Sequence, residues 1–191
     1  MTQSLNNTRH LILGGTRSGK SRYAEKTILS HILDSSNTLQ KAYYIATAEE
    51  LDDEMSARIK RHQLDRSKNE NNYTSKGQTF KWHVIEEPIN IAETLKQFSS
   101  YDSVLIECLT LWISNCIHHQ CWHEQKNAFI KTLKETKAHI VMVSNEVGQG
   151  IVPSSTLGRE FIDESGWLHQ ELADICEQVS FVTAGLVRQL K

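Results

Sequence analysis

Short apolar runs alternate along this chain with longer stretches in which apolar residues recur every three or four positions. The runs fall at residues 11–13, 41–47 (KAYYIAT), 82–85, 103–107, 139–144 (HIVMVS) and 179–184. Each has the length of a strand, and 103–107 and 139–144 are apolar enough to be buried on both faces. Between them, 21–33 predicts a helix with Tyr23, Thr27, Ile28 and Ile32 available to its inner side. A second helix is expected from Leu51 to about Asp65, with Leu51, Met55 and Ile59 at four-residue spacing. A third covers 89–98, begun after Pro88 and Asn90; one or two helices fill 109–136, and a long one spans 157–177. Strands that alternate with helices predict an α/β fold, a mostly parallel sheet with helices on both faces. Ligands then gather at the carboxyl ends of the strands.

One domain, 9–191, preceded by a polar tail at 1–8, accounts for all 191 residues. Two prolines, no internal repeat and no low-complexity tract leave little room for an interdomain linker. Residues 67–79, rich in Asn, Ser and Lys, read as a surface excursion.

The most informative junction follows the first strand. Residues 9–24 read RHLILGGTRSGKSRYA, and Gly14-x4-Gly19-Lys20-Ser21 fits the P-loop pattern. In such a loop the backbone N–H groups wrap phosphates, the lysine reaches the β and γ oxygens, and the serine holds Mg²⁺. The helix that starts there adds the positive end of its dipole. Glycine is needed because a side chain would block the backbone's approach to phosphate. The expected ligand is a nucleoside triphosphate.

Composition narrows the setting. A net charge of −2 gives no general pull toward nucleic acid or an anionic membrane. No apolar stretch is long enough to span a bilayer; the longest, 104–113, carries Glu107. The polar start MTQSLNNTRH lacks the apolar centre of a signal peptide. Four cysteines without CxxC spacing predict reduced thiols and a cytoplasmic protein.

Further chemistry clusters outside the loop. Glu107 ends the run VLIE, where an acid either helps hold Mg²⁺ or caps the following helix. Arg58, His62 and Arg66 recur every four residues and stack on one helix stripe, beside the apolar stripe. Two guanidiniums around an imidazole disfavour its protonation and can grip triphosphate oxygens; the alternative is a solvated basic face. Residues 144–153 (SNEVGQGIVP) leave a buried strand with two glycines and suit a substrate-facing loop. Cys116, His119 and His123 would share one face of a continuous helix and could hold Zn²⁺, although their spacing matches no standard structural zinc pattern. A GTP-binding switch is disfavoured: NKxD is absent, and the DxxG string from Asp163 to Gly166 lies inside the last long helix.

Taken together, GGTRSGKS, YIATAEELDDEMSARIKRH, the 82–86 element, VLIECLTLWISN and SNEVGQGIVP resemble the bifunctional adenosylcobinamide kinase / adenosylcobinamide-phosphate guanylyltransferase family of cobalamin biosynthesis. The resemblance runs in order from about Ile12 to Leu186. It implies a RecA-like P-loop NTPase fold assembling into a homotrimer. It implies phosphorylation of the aminopropanol hydroxyl of adenosylcobinamide from a nucleoside triphosphate, ATP or GTP. Transfer of GMP from GTP to that phosphate then follows through a histidine–GMP phosphoramidate. The family histidine falls on His62. Nucleotide contacts carry over to Gly14, Gly15, Thr16, Arg17, Ser18, Gly19, Lys20 and Ser21, to Thr47 and Ala48, to Gln63, Leu64, Asp65 and Arg66, and to Glu86 and Glu107. Ser21 and Glu107 would hold Mg²⁺. The rival within enzymes is a P-loop small-molecule or nucleoside kinase without guanylyl transfer.

Overall fold

The computed structural model describes residues 8–34, 40–49, 74–75, 78–79 and 81–191. Strands β1 (Arg9–Gly14), β2 (Lys41–Ala46), β5 (Trp82–Glu86), β6 (Asp102–Glu107), β7 (His139–Asn145), β8 (Gln178–Thr183) and β9 (Leu186–Gln189) form one sheet. Its order is β5-β2-β6-β7-β1-β8-β9, parallel throughout except for β9, which runs antiparallel to β8. Thr74–Ser75 (β3) and Gln78–Thr79 (β4) pair separately as a short antiparallel ladder.

The two-residue period of the strands sorts the core into two layers. Leu11, Leu13, Ile45, Val104, Ile106, Ile140 and Met142 face one side with Trp112, Phe129, Leu168 and Leu172. Those four belong to helices α3 (Leu109–His118), α4 (Trp122–Glu135) and α5 (Thr156–Ile175). Ile12, Ala42, Tyr44, Leu105, Val141, Val143 and Val182 face the other side, against Ala24 and Ile28 of helix α1 (Lys20–Asp34). The sheet is therefore covered on both faces, as the apolar runs in its central strands require.

Two elements differ from their expected extent, and of the one or two helices expected over 109–136 the structure has two. Helix α2 covers only Ile91–Leu95. Before it, the Glu87 carboxylate accepts from the Ile89 and Asn90 N–H groups; after it, Lys96, Gln97 and Phe98 each bond three residues back, a tighter 3₁₀ turn. The stretch 109–136 is two helices, because Gln120 takes a left-handed φ of 56° and the Cys121 N–H closes back on Cys116 O at 2.9 Å. The last strand is followed by β9, through a turn in which Ala184 and Gly185 both have positive φ, the geometry of a tight hairpin.

At the amino ends of the central strands, on the α1 side, polar side chains are buried. His10 Nε2 bonds Ser180 Oγ at 2.8 Å, while His139 bonds Thr8 and stacks on His31 with ring centroids 3.8 Å apart. Burial holds the His10 pKa down to about 4. Burial, then the neighbouring His31 and His10, hold His139 down to about 3. The unfolded chain therefore takes up these protons first, near pH 6.5. The stability tied to the neutral rings is full above that pH and drains as pH falls toward 4. The expected loss is on the order of 2 kcal/mol per histidine by pH 4.5. Thermal melts from pH 8 to 4.5 should fall more steeply for the wild type than for a His10→Asn, His139→Asn variant.

Candidate active site

Chain direction and sheet order bring the loops after β1, β2, β5, β6 and β7 to one edge. After β1 the chain turns at Gly14, whose φ is 154°, and enters α1 through Gly19, whose φ is 100°. A Cβ at Gly14 would lie 2.3 Å from the Val182 carbonyl oxygen. None would meet anything within 4 Å at Gly15. Gly14→Ala should accordingly destabilise the fold by about 1–3 kcal/mol, while Gly15→Ala stays within about 0.5 kcal/mol. Denaturant titration of the two variants checks this contrast.

Neighbouring strands hold the loop in shape. The Gly185 N–H donates to Ser18 O at 2.8 Å, and the Glu146 N–H donates to Gly14 O at 3.0 Å. Thr16 and Arg17 are exposed, Arg17 with a left-handed φ of 58°, and Ser18 is buried. Lys20 is also buried, and its Nζ donates to Gly15 O at 2.8 Å across the loop. Burial lowers its pKa, against an opposing pull from Cys108 and Glu107. The loop thus has its carbonyls at Gly14, Gly15 and Ser18 tied down and an ammonium group across it, an arrangement that fits a polyphosphate.

The second residue of α1, Ser21, donates its hydroxyl to Glu107 Oε1 at 2.8 Å. Of the two expectations for Glu107, the geometry bears on the cap: the residue at the N-cap of α3 is Cys108, and the carboxylate faces Ser21. A hydroxyl and a carboxylate at this separation are hard oxygen donors of the kind Mg²⁺ takes.

A buried polar seam continues from Glu107 toward the sheet edge. The Thr47 N–H donates to Glu107 O at 3.0 Å, and its hydroxyl bridges Cys108 O and Cys108 N–H. Asn115 of α3 donates to Thr47 O at 2.8 Å and to Pro88 O at 3.2 Å. Asn145, at the end of β7, donates to Thr110 Oγ1 at 3.0 Å, and Thr110 contacts Cys108 Sγ at 2.7 Å. Behind the loop after β7, His169 of α5 bonds the fully buried Ser144 at 2.7 Å. Sequence reasoning did not single out Cys108, Thr110, Asn115 or Asn145. Their signals are a polar side chain interrupting an otherwise apolar strand end or helix face, and their place within the stretches VLIECLTLWISN and SNEVGQGIVP.

The structure brings Gly14 to Ser21 and Glu107 into one cluster and joins Thr47 to it through Glu107 and Cys108, with Ala48 next in the chain. Glu86, exposed at the end of β5, pairs in register with Ala46. Four strand spacings separate β5 from β1, roughly 19 Å, so Glu86 stands at the far end of the edge from the phosphate loop. His62, Arg58, Gln63, Leu64, Asp65 and Arg66, with the whole expected 51–65 helix, lie outside the described residues. The expected zinc face does not form on one helix, because the break at 119–121 separates Cys116 from His123. Cys116 is fully buried, and His119 Nε2 lies 3.1 Å from Glu49. Among the described residues no three His, Cys, Asp or Glu side chains could hold a metal ion together. No described helix is long and apolar enough to cross a membrane.

A mostly parallel sheet covered on both faces, with this loop after an inner strand, defines a P-loop NTPase of RecA-like architecture. The flagellar accessory protein FlaH from Methanocaldococcus jannaschii shares the fold: 97% of this chain aligns with 79% of that one at a TM-score of 0.52 and 10% identity. Within that class, the sequence model of the cobinamide kinase / cobinamide phosphate guanyltransferase family matches residues 10–190, and the chain belongs to this family. It is 40% identical over 187 residues to the bifunctional adenosylcobalamin biosynthesis protein CobP of Pseudomonas aeruginosa, covering 96% of this chain and 97% of that protein. It is 34% identical over 198 residues to the corresponding protein CobU of Escherichia coli K12, covering 95% of this chain and 98% of that protein.

Proposed function

We propose that this chain phosphorylates adenosylcobinamide from a nucleoside triphosphate and then transfers GMP from GTP to the product, giving adenosylcobinamide-GDP and pyrophosphate. The observation that carries the reading is the closed phosphate ring with Ser21 held 2.8 Å from Glu107, in a chain of this family. In the first step the aminopropanol oxygen forms a bond to the γ-phosphorus as the β–γ bridging bond breaks, and its proton passes to solvent. Loop amides from Gly14 to Ser21 and the Lys20 ammonium hold the triphosphate and meet the charge on the transferring group. Mg²⁺, held by Ser21 and Glu107, would supply charge neutralisation on the phosphate oxygens.

In the second step His62 bonds the α-phosphorus of GTP and expels pyrophosphate; the corrinoid phosphate then displaces the histidine nitrogen. Thr47, Ala48, Gln63, Leu64, Asp65, Arg66 and Glu86 contact the nucleotide in this reading. The protein works in the cytoplasm as a homotrimer, which sedimentation equilibrium of the purified protein tests. Incubation with adenosylcobinamide, ATP, GTP and Mg²⁺ should yield adenosylcobinamide phosphate and then its GDP derivative by mass spectrometry. Phosphate transfer that stops at the first product would leave a small-molecule kinase.

A further inference from the structure

We infer that Asn145 orients the acceptor hydroxyl for phosphoryl transfer; the assignment rests on the kinase reading above. The observation is where its amide sits and how it is held. Strand β7 lies between β1, which carries the phosphate loop, and β6, which carries Glu107. Asn145 is level with Gly14 on one side. On the other it extends two residues past Val143, the partner of Glu107. Asn145 thus ends the strand that lies between the two carrying the groups expected to hold the reacting phosphate.

The amide is fixed from behind. Its Nδ2 donates to Thr110 Oγ1 at 3.0 Å and to Cys108 Sγ at 3.8 Å. Thr110 and Cys108 are both buried. Among the described residues Oδ1 receives no hydrogen bond, and Asn145 is only half-buried. A purely structural asparagine in the same seam looks different: Asn115 is buried and bridges two backbone carbonyls. Asn145 has a locked donor side and, among the described residues, an acceptor atom left over.

The chemistry suits that acceptor. An amide oxygen is too weak a base to remove an alcohol proton, and a loose phosphoryl-transfer transition state does not require it to. What the step requires is a hydroxyl held in line with the γ-phosphorus, and a hydrogen bond from that hydroxyl to Oδ1 does this. Misplacement by about 1 Å can cost on the order of 100-fold in rate. The second step uses no hydroxyl, so it should not depend on Asn145.

The test uses the full-length protein with ATP, Mg²⁺ and adenosylcobinamide, following adenosylcobinamide phosphate. Asn145→Ala should lower kcat by about 10- to 100-fold with the KM for ATP and the incorporation of label from α-labelled GTP unchanged. Thr110→Val, which frees the amide without removing it, should lower kcat in the same way but less. Asn145→Ala turning over within two-fold of wild type would overturn the inference. So would a loss that ATP affinity and GTP labelling share equally, since that marks a structural role. Wild-type protein that makes no phosphate product would instead remove the kinase reading itself, which separates the two failures.

Discussion

Lys20→Ala should lower phosphoryl transfer by about 10²–10³-fold with the fold intact. Lys20 is buried at the mouth of the loop, and its ammonium is already aimed across the ring, bonded to Gly15 O at 2.8 Å. Exchange of that carbonyl for phosphate oxygens needs little movement. The ammonium therefore acts on the developing charge without reorganisation, and losing one such preorganised donor costs about 10²–10³ in rate. The structural cost is small by comparison. One hydrogen bond of about 1 kcal/mol is lost, and the burial that lowers the lysine's pKa no longer penalises a charge. Lys20→Arg should not rescue turnover, because the planar guanidinium does not replace a compact ammonium inside a closed ring. Guanylyl transfer should fall as well if both steps share the loop. Product formation and a thermal melt on the same preparation check the prediction; turnover within ten-fold of wild type would move the phosphate site elsewhere.

Much of this architecture was legible because the middle of strands such as β1, β6 and β7 is apolar on both faces. A strand such as 139–144 can be satisfied only by helices on both sides, so the sheet followed from its composition. The phosphate loop was legible for a different reason: its glycines answer a local steric demand, and Gly14 has no room for a Cβ. Elements set by tertiary context were less visible. Strand β9 is exposed along its length and has no buried face to impose a period. The break at 119–121 turns on a left-handed Gln120, a residue with no marked preference for that conformation. A continuous helix through this point was the premise of the zinc face, and the premise failed with the helix. The polar seam from Thr47 through Cys108 to Asn145 was illegible because its members come from three separate elements. Each alone is an isolated polar residue; only the sheet order makes them neighbours.

His62→Ala should abolish covalent labelling by α-labelled GTP, a drop of at least about 10³-fold, while leaving phosphoryl transfer near wild type. The grounds lie in spacing. Arg58, His62 and Arg66 recur every four residues, so on a helix one imidazole is bracketed by two cations able to hold the triphosphate oxygens around it. A nucleophilic histidine splits one difficult transfer into two displacements, and its product is a phosphoramidate. That bond is labile in acid and stable in alkali, opposite to a phosphate ester of serine or threonine, so quench conditions identify the atom attacked. Wild-type protein should carry one alkali-stable, acid-labile GMP, and peptide mapping should place it on His62. The separate survival of phosphoryl transfer matters as much as the loss of label. Lys20 bonds Gly15 O and Ser21 bonds Glu107 within the phosphate loop and its neighbouring strand, so a variant that lost both activities together would mean the histidine supports the fold or the shared nucleotide site. Label that persisted in His62→Ala would place the covalent step on another residue.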